Sequence, residues 1–230
     1  MKLITIAGPP STGKTSVILK TVSHLKSEGV KIGIVKFDAL STSDDLVYKK
    51  IGLPVLTGLA GILCPDHFFI TNIEDCFNWG VANKLDMLIT ESAGLCNRCS
   101  PHIQGVFGVC VIDNLAGINT PQKIGPMLKL ADMIVITKGD IVSQAEREVF
   151  AFNVALANPR AGVIFVNGIT GQGSGILASR LRNTRKIKKL EGERARSPLP
   201  AAICPYCVGE TTISKDYHRG NAKKIFTRQI

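Results

Sequence analysis

The sequence Gly8-Pro9-Pro10-Ser11-Thr12-Gly13-Lys14-Thr15 decides the fold, because it fits the pattern GxxxxGK[ST] of a phosphate-binding loop. It follows an apolar segment typical of a strand, residues 2–7, and it precedes a helical pattern over residues 14–27. In this setting the backbone N–H groups of the loop and the N-terminus of the helix point at phosphate oxygens. The stretch therefore predicts a P-loop nucleotide-binding domain.

The residues of this loop have expected roles at the phosphates. Lys14 would neutralise the β and γ phosphates of the nucleotide, and the hydroxyl of Thr15 would bind Mg²⁺. Backbone amides around Gly13 would surround the β phosphate. The nucleotide-binding residues predicted in and next to the loop are Gly8, Pro10, Ser11, Thr12, Gly13, Lys14, Thr15 and Ser16.

The rest of the chain alternates short apolar runs with helical patterns. Strands are predicted near residues 2–7, 32–37, 86–90, 106–112, 132–137 and 162–166. Helices are predicted near residues 14–27, 42–50, 70–83, 121–130, 143–156 and 173–182. The alternation indicates an α/β fold with a mostly parallel sheet flanked by helices, and ligands are expected at the carboxyl ends of its strands.

Two acidic residues follow predicted strands and complete the expected catalytic set with Lys14. Asp38 ends the second strand, where it could reach the Mg²⁺ shell or the attacking water; a turn or helix-capping aspartate is the alternative. Glu91 ends the strand Leu88–Thr90 and is placed like a Walker B carboxylate, with a structural residue at the strand end as the alternative. Gly94, three residues later, could swing towards a γ-phosphate.

A possible base-binding segment follows another predicted strand. Thr137-Lys138-Gly139-Asp140 resembles the guanine-reading motif N/T-K-x-D, in which the carboxylate accepts two N–H bonds from the base. Asn167 begins a glycine turn that would supply backbone contacts to the base edge. A generic turn between strand and helix is the alternative. The motif favours GTP over ATP as the nucleotide, together with Mg²⁺.

The charge is distributed unevenly along the 230 residues. The formal net charge is +10, but residues 180–230 carry 13 Lys or Arg against four Asp or Glu. The sequence predicts a P-loop domain over residues 1–183 and a basic linker with a small CxxC-containing element over residues 184–230. For the basic stretch from Arg180 to Arg196 a solvated linker is favoured, and docking to an acidic client or a membrane protein is the alternative. Nucleic-acid binding is not favoured, because interleaved aromatic residues are lacking.

The sequence contains seven cysteines, and their spacing suggests metal chemistry more than disulfides. The apolar run at the N-terminus is too short for a signal peptide, and no apolar run approaches the length of a bilayer span. A cytoplasmic protein is therefore expected. In that reducing compartment two thiolates separated by two residues can bind one Zn²⁺ or an iron of a cluster.

Two CxxC pairs are candidate ligands, Cys96 with Cys99 and Cys204 with Cys207. Their four thiolates suffice for a Zn²⁺ site or a [4Fe–4S] cluster, within one chain or across a dimer. Incidental thiols are the alternative for the first pair, and a redox motif or an inert tail for the second. Cys64 with His67 forms another candidate site. The remaining cysteines considered, Cys76 and Cys110, are predicted to lie in the core.

These residues, in this order, resemble the SIMIBI-class GTPases of the CobW/HypB/UreG family, which insert metal into enzymes. The resemblance covers roughly residues 1–182. It rests on the phosphate loop, the segment from Asp38 to Asp45, Thr57-Gly58, Cys64-Pro65-Asp66-His67, Glu91-Ser92-Ala93-Gly94, Thr137-Lys138-Gly139-Asp140 and Thr170-Gly171-Gln172-Gly173. The urease-type Cys-Pro-His has one residue inserted here.

The resemblance implies a nucleotide-gated homodimer that holds or releases a metal, such as Ni²⁺, at its interface and serves a metalloenzyme client. It also implies that Asp38 acts on Mg²⁺ or water. Two other functions remain open. A P-loop small-molecule kinase would need an arginine-rich lid, and Arg147 and Arg160 are the only arginines in the sequence region 115–160. A nucleic-acid-binding switch would use the basic CxxC tail.

Overall fold

The computed structural model of the chain describes residues 1–94, 99–197, 211–213 and 223–226. Within these residues the strands are β1 (Lys2–Ala7), β2 (Ile32–Asp38), β3 (Val55–Leu59), β4 (Met87–Glu91), β5 (Phe107–Asp113), β6 (Met133–Thr137) and β7 (Gly162–Phe165). They form one sheet in the order β3-β2-β4-β1-β5-β6-β7, and each neighbouring pair is parallel. The predicted α/β fold with a parallel sheet is confirmed.

The helices lie on both faces of this sheet. They are α1 (Lys14–Ser27), α2 (Asp44–Lys50), α3 (Pro65–Ala82), α4 (Thr120–Lys123), α5 (Pro126–Lys129), α6 (Gln144–Ala157) and α7 (Ser174–Arg182). The best-defined helix start is that of α6, where Ser143 and Glu146 form a reciprocal capping box. None of the helices in the described residues is both long and apolar enough to cross a bilayer.

The structure differs from the sequence prediction in three elements. Strand β3 is absent from the predicted set, because Pro54 precedes it and Gly58 interrupts its apolar run. Helix α3 begins at Pro65 rather than near residue 70, since proline at the first helical position favours a helix start. The predicted helix 121–130 is divided into α4 and α5 at Gly125, whose φ of 66° does not continue a helix.

Alternating residues of the strands pack against helices on opposite faces of the sheet. On one face α1, α2 and α7 cover a cluster that includes Ile4, Val17, Ile34, Tyr48 and Leu177. On the other face α3 covers one cluster, and α4, α5 and α6 cover another that includes Cys110, Ile134 and Phe150. Cys76 and Cys110 are buried, as predicted for core residues, and burial raises the pKa of the Cys110 thiol to about 12.

The segment after α7 packs against the domain instead of extending into solvent. Its apolar residues Ile187, Leu190 and Ala195 are buried in the same cluster as Leu3, while its lysines are exposed. The backbone N–H of Ile187 donates to the carbonyl of Met1 at 2.8 Å. The described residues 184–197 therefore contribute apolar side chains to the core of the domain, which a solvated linker would not do. The division of the chain at residue 183 stays a prediction.

Backbone pairing joins this segment to two other parts of the chain. Residues 102–104 pair antiparallel with residues 194–196, and the latter segment also pairs antiparallel with residues 211–213. Arg196 fastens the arrangement, because its guanidinium donates to both carboxylate oxygens of Asp132 at 2.9 and 2.7 Å and to three backbone carbonyls. We call these three paired segments the terminal ribbon.

Candidate nucleotide-binding site

The phosphate loop connects β1 to α1 at the carboxyl ends of the parallel strands. It borders a cavity of about 390 Å³. The described residues that line this cavity are Pro10, Ser11, Gly13, Lys14, Thr15, Ser16, Lys36, Asp38, Asp44, Glu91 and Ala93. The structure thus brings the loop together with both of the carboxylates that the sequence singles out.

The beginning of the loop lies directly beneath the segment that follows β4. Gly94 has a φ of 68°, and a Cβ at this position would overlap the carbonyl oxygen of Gly8. A Cβ at Gly8 would in turn overlap the carbonyl oxygen of Val111. Only glycine fits at both positions. Because the two segments touch, a displacement of the phosphate loop would be transmitted to the chain after Glu91.

Lys14 is held against the loop by its own backbone. Its ammonium donates to the carbonyl oxygens of Gly8 at 2.9 Å and Pro9 at 2.8 Å. Burial lowers the pKa of Lys14 to about 8, although the nearby carboxylate of Glu91 opposes this decrease. A phosphate in the cavity would offer this ammonium stronger, charged acceptors than the two carbonyls.

Three carboxylates surround a second, buried ammonium. Lys36 Nζ lies 2.8 Å from Glu91 Oε1, 2.6 Å from Asp44 Oδ2 and 3.8 Å from Asp38 Oδ2. Thr15 contributes its hydroxyl, which donates to Glu91 Oε1 at 2.8 Å and lies 3.2 Å from Asp44 Oδ2. We call these five residues the carboxylate cluster.

Glu91 occupies the centre of this cluster and is fully buried. Its second oxygen, Oε2, accepts a hydrogen bond of 2.6 Å from the hydroxyl of Tyr48, on α2. Burial and the charge of Glu91 both raise the pKa of Tyr48, so this hydroxyl stays protonated and remains a donor. One carboxylate therefore connects the phosphate loop, β2 and α2.

The charge of Lys36 is stabilised by its partners. Burial alone would lower its pKa, but the charge of Glu91 and the hydrogen bonds to Asp44 and Glu91 outweigh burial, and the pKa is raised above its ordinary value. The ammonium is consequently a permanent positive charge at neutral pH. It offsets one of the three surrounding carboxylates.

The donor groups of the cluster fit Mg²⁺. This hard cation prefers oxygen ligands and is usually held by one or two carboxylates together with nucleotide phosphates. The described residues that would hold it are Thr15, Asp38 and Glu91, which the sequence predicts as its ligands, together with Asp44. Bound with a nucleotide, Mg²⁺ would neutralise charge on the β and γ phosphates.

The predicted base-binding segment is tied to the phosphate loop. The hydroxyl of Thr137 donates to the carbonyl of Thr12 at 2.7 Å, and Asn114 Nδ2 donates to the carbonyl of Thr137 at 3.0 Å. Lys138 Nζ lies 3.1 Å from Asp113 Oδ2, and its backbone has a φ of 56°. These contacts fix the distance between the phosphate loop and the segment that follows β6.

Asp140 and Asn167 line one cavity of about 470 Å³ beside β7. Asp140 is exposed, so its carboxylate is accessible to a ligand. Asn167 Oδ1 accepts from the backbone N–H groups of Ile169 at 2.8 Å and Thr170 at 2.9 Å, which shapes the turn after β7. The structure therefore places both predicted base-binding positions at the same cavity.

The candidate cysteine sites are only partly within the described residues. Cys64 is half-buried and directly precedes α3, His67 is buried in the first turn of that helix, and Cys99 is buried in an apolar cluster. Cys96, Cys204 and Cys207 lie outside the described residues. Among the residues that are described, no group of three or more His, Cys, Asp or Glu side chains is arranged to hold a metal ion as the structure stands.

Sequence reasoning missed Lys36 and Tyr48 as members of the site. Lys36 is the one charged residue between Ile32 and Phe37, an otherwise apolar strand, and this isolated charge was the available signal. Tyr48 carried no comparable signal, because a tyrosine on an amphipathic helix is ordinary. Asp44 enters the sequence prediction only within the segment from Asp38 to Asp45 that carries the family resemblance.

The fold and the loop define a P-loop nucleotide-binding protein of the α/β class. The sequence model of the family described as CobW/HypB/UreG, nucleotide-binding domain, matches residues 2–165. The chain belongs to this family.

Relatives of this chain agree with that assignment. An uncharacterised protein of Methanocaldococcus jannaschii is 50% identical over 225 residues, which cover 98% of this chain and 96% of that protein. The urease accessory protein UreG 2 of Methylorubrum extorquens is 30% identical over 192 residues, with 75% of this chain and 88% of the relative covered.

Solved structures share the fold. The hydrogenase maturation factor HypB of Archaeoglobus fulgidus superposes with a TM-score of 0.60 at 23% identity, covering 79% of this chain and 89% of the other. HypB of Helicobacter pylori, solved in complex with nickel, gives a TM-score of 0.62 at 18% identity, covering 82% and 91%. At these identities the likeness concerns the fold.

Proposed function

We propose that the protein hydrolyses a nucleoside triphosphate, with GTP preferred, and couples its nucleotide state to the binding or release of a metal ion or Fe–S cluster during maturation of a metalloenzyme. The observation that supports hydrolysis is the carboxylate cluster beside the phosphate loop. The cluster offers Thr15 for Mg²⁺, buried Glu91, and Asp38 at the end of β2 for Mg²⁺ or water, and Lys14 of the adjoining loop serves the phosphates. Family membership supports the same conclusion.

GTP is favoured by the segment after β6. The exposed carboxylate of Asp140 shares a cavity with Asn167, and Thr137 fixes this segment to the phosphate loop at Thr12. Isothermal titration with GDP and ADP tests the preference directly. We expect GDP to bind more tightly, and Asp140→Asn to weaken GDP by about 10- to 100-fold while leaving ADP unchanged. Equal affinities of the wild type for GDP and ADP would contradict the assignment of Asp140 as the residue that binds the guanine base.

The cysteines are proposed to hold the metal ion or cluster, and the terminal ribbon supports a site shared by both CxxC pairs. Cys99 lies three residues before His102, whose carbonyl accepts from the backbone N–H of Arg196 at 2.8 Å. Cys204 and Cys207 lie in the sequence between Arg196 and Thr211, two residues of the ribbon, and within the ribbon the carbonyl of Thr211 accepts from the backbone N–H of Ala195 at 2.9 Å. Segments about 100 residues apart in the sequence are thus fastened at one place.

Anaerobic metal analysis of three variants separates the candidate sites. If the pairs share one site, the double variants Cys96→Ser/Cys99→Ser and Cys204→Ser/Cys207→Ser each lose all bound metal. Separate sites would leave each double variant with part of it. Loss only in Cys64→Ser would move the site to the start of α3, with His67 as partner, and no metal in the wild type would end this part of the proposal.

A nucleotide-gated homodimer completes the proposal. It rests on membership of the CobW/HypB/UreG family. Light scattering in the presence of GDP and of a non-hydrolysable GTP analogue measures it. We expect a dimer with the analogue, and metal content that differs between the two states. Lys14→Met is the matched control, since it removes the ammonium at the phosphates and should abolish both hydrolysis and the nucleotide response.

A further inference from the structure

Lys36 is a buried lysine near the carboxyl end of β2, an interior strand of the parallel sheet. Only 3% of the residue is exposed, and its neighbours Val35 and Phe37 are fully buried. In the ladder between β2 and β4 it stands directly opposite Glu91. A lysine in such a position destabilises a fold unless its charge is compensated, so its partners must compensate it well.

Lys36 shares its two closest partners with Thr15. Glu91 Oε1 lies 2.8 Å from both Lys36 Nζ and Thr15 Oγ1. Asp44 Oδ2 lies 2.6 Å from the ammonium and 3.2 Å from the hydroxyl. A divalent ion that bound the Thr15 hydroxyl and these oxygens would have to take the place of the ammonium and pair with the same negative charges.

The balance of charge also matters. Asp38, Asp44 and Glu91 carry three negative charges around one ammonium. Without the Lys36 ammonium, Lys14 would be the remaining positive charge in the cavity, beside three carboxylates and a hydroxyl whose oxygens are ligands that divalent ions prefer. Transition metals bind such sites more tightly than Mg²⁺ does, so an open cluster would compete for any Ni²⁺ or Zn²⁺ that the protein handles.

We propose that Lys36 is a built-in cation that closes the divalent-ion position of the nucleotide-free protein. A divalent ion binds there only together with nucleotide phosphates, and the ammonium then leaves Glu91 and Asp44. Lys36 thereby determines which cation occupies the site and when. This inference rests on the proposed nucleotide function for the identity of the phosphates, but the closure itself is a property of the nucleotide-free chain.

Binding of Mn²⁺ to the nucleotide-free full chain tests the closure. Mn²⁺ prefers oxygen ligands, so the cysteines interfere little, and loss of its free EPR signal measures binding. We expect Lys36→Met to bind Mn²⁺ at least about tenfold more tightly than the wild type, because a neighbouring like charge is removed. Lys49→Met is the matched control: Lys49 lies on α2 and pairs with Asp45, outside the cluster, and its loss should leave the affinity unchanged.

Removing Lys36 leaves three carboxylates together, and this variant could fail to fold without metal. The double variant Lys36→Met/Asp44→Asn avoids this problem, because it removes one negative charge with the ammonium and retains Thr15 and Glu91. We expect it also to bind Mn²⁺ more tightly than the wild type. If neither variant gains affinity, or if Lys49→Met gains as much, Lys36 does not close the site.

The two proposals can fail separately. Nucleotide hydrolysis by the wild type is measured with saturating Mg²⁺, whereas the Mn²⁺ titration contains no nucleotide. A wild type that hydrolyses GTP while Lys36→Met gains no Mn²⁺ affinity overturns the closure and leaves the proposed function intact. A wild type without hydrolysis whose variants gain Mn²⁺ affinity overturns the function and leaves the closure.

Discussion

Replacing Leu190 with alanine tests whether the segment after α7 belongs to the fold. Leu190 is 1% exposed and packs in the cluster that contains Leu3 and Ile103. Truncating a buried leucine removes its transfer free energy and leaves a cavity, which costs about 2–5 kcal/mol. We take about 3 kcal/mol, a substantial part of the total stability of an ordinary domain.

Urea unfolding followed by circular dichroism measures this loss. With an m-value of about 3 kcal/mol per molar for a chain of this size, the midpoint should fall by about 1 M. The neighbouring Lys189 is exposed, so Lys189→Ala should stay within about 0.5 kcal/mol of the wild type and serves as the control. If Leu190→Ala also stays within that limit, residues 184–197 are a solvated linker after all and their packing is refuted.

Two further predictions concern buried polar groups. Tyr48→Phe removes the hydroxyl that donates to Glu91 Oε2 and should lower the free energy of unfolding by about 2 kcal/mol, measured in the same assay; an unchanged midpoint would show that this bond adds nothing. Burial lowers the pKa of His102 to about 4, so the unfolded chain binds its proton first and stability falls as the pH falls from about 6.5 towards 4. His102→Gln should reduce this loss by about 2 kcal/mol between about pH 7 and pH 5, and an equal pH dependence in both proteins would contradict it.

The phosphate loop could be predicted from the sequence because its chemistry is local. A glycine-permitted turn, a lysine and a hydroxyl must be spaced along one segment between a strand and a helix, and that spacing is visible in the sequence. Asp38 and Glu91 could be placed near the loop for a related reason. In a parallel sheet the carboxyl ends of neighbouring strands meet at one edge, so residues that end strands converge there.

The counter-ion of these carboxylates could not be predicted in the same way. Lys36 meets Glu91 only because β2 and β4 are neighbours and pair in this register. The order of strands in a sheet cannot be read directly from the sequence. Likewise, the basic segment after α7 has the composition of a linker. Its buried positions Ile187 and Leu190 are separated by exposed lysines, so the packing depends on surfaces contributed by distant residues.

The position of Glu91 gives the proposed coupling a short route. Its carboxylate contacts the phosphate loop through Thr15, and Gly94, three residues later, touches the same loop again. The chain then reaches Cys99 and, at His102, the terminal ribbon that also contains Arg196 and Thr211. A change at the phosphates that moves the backbone after β4 would therefore start within about ten residues of His102 and of its pairing with Arg196, so the proposed coupling requires no other element of the sheet.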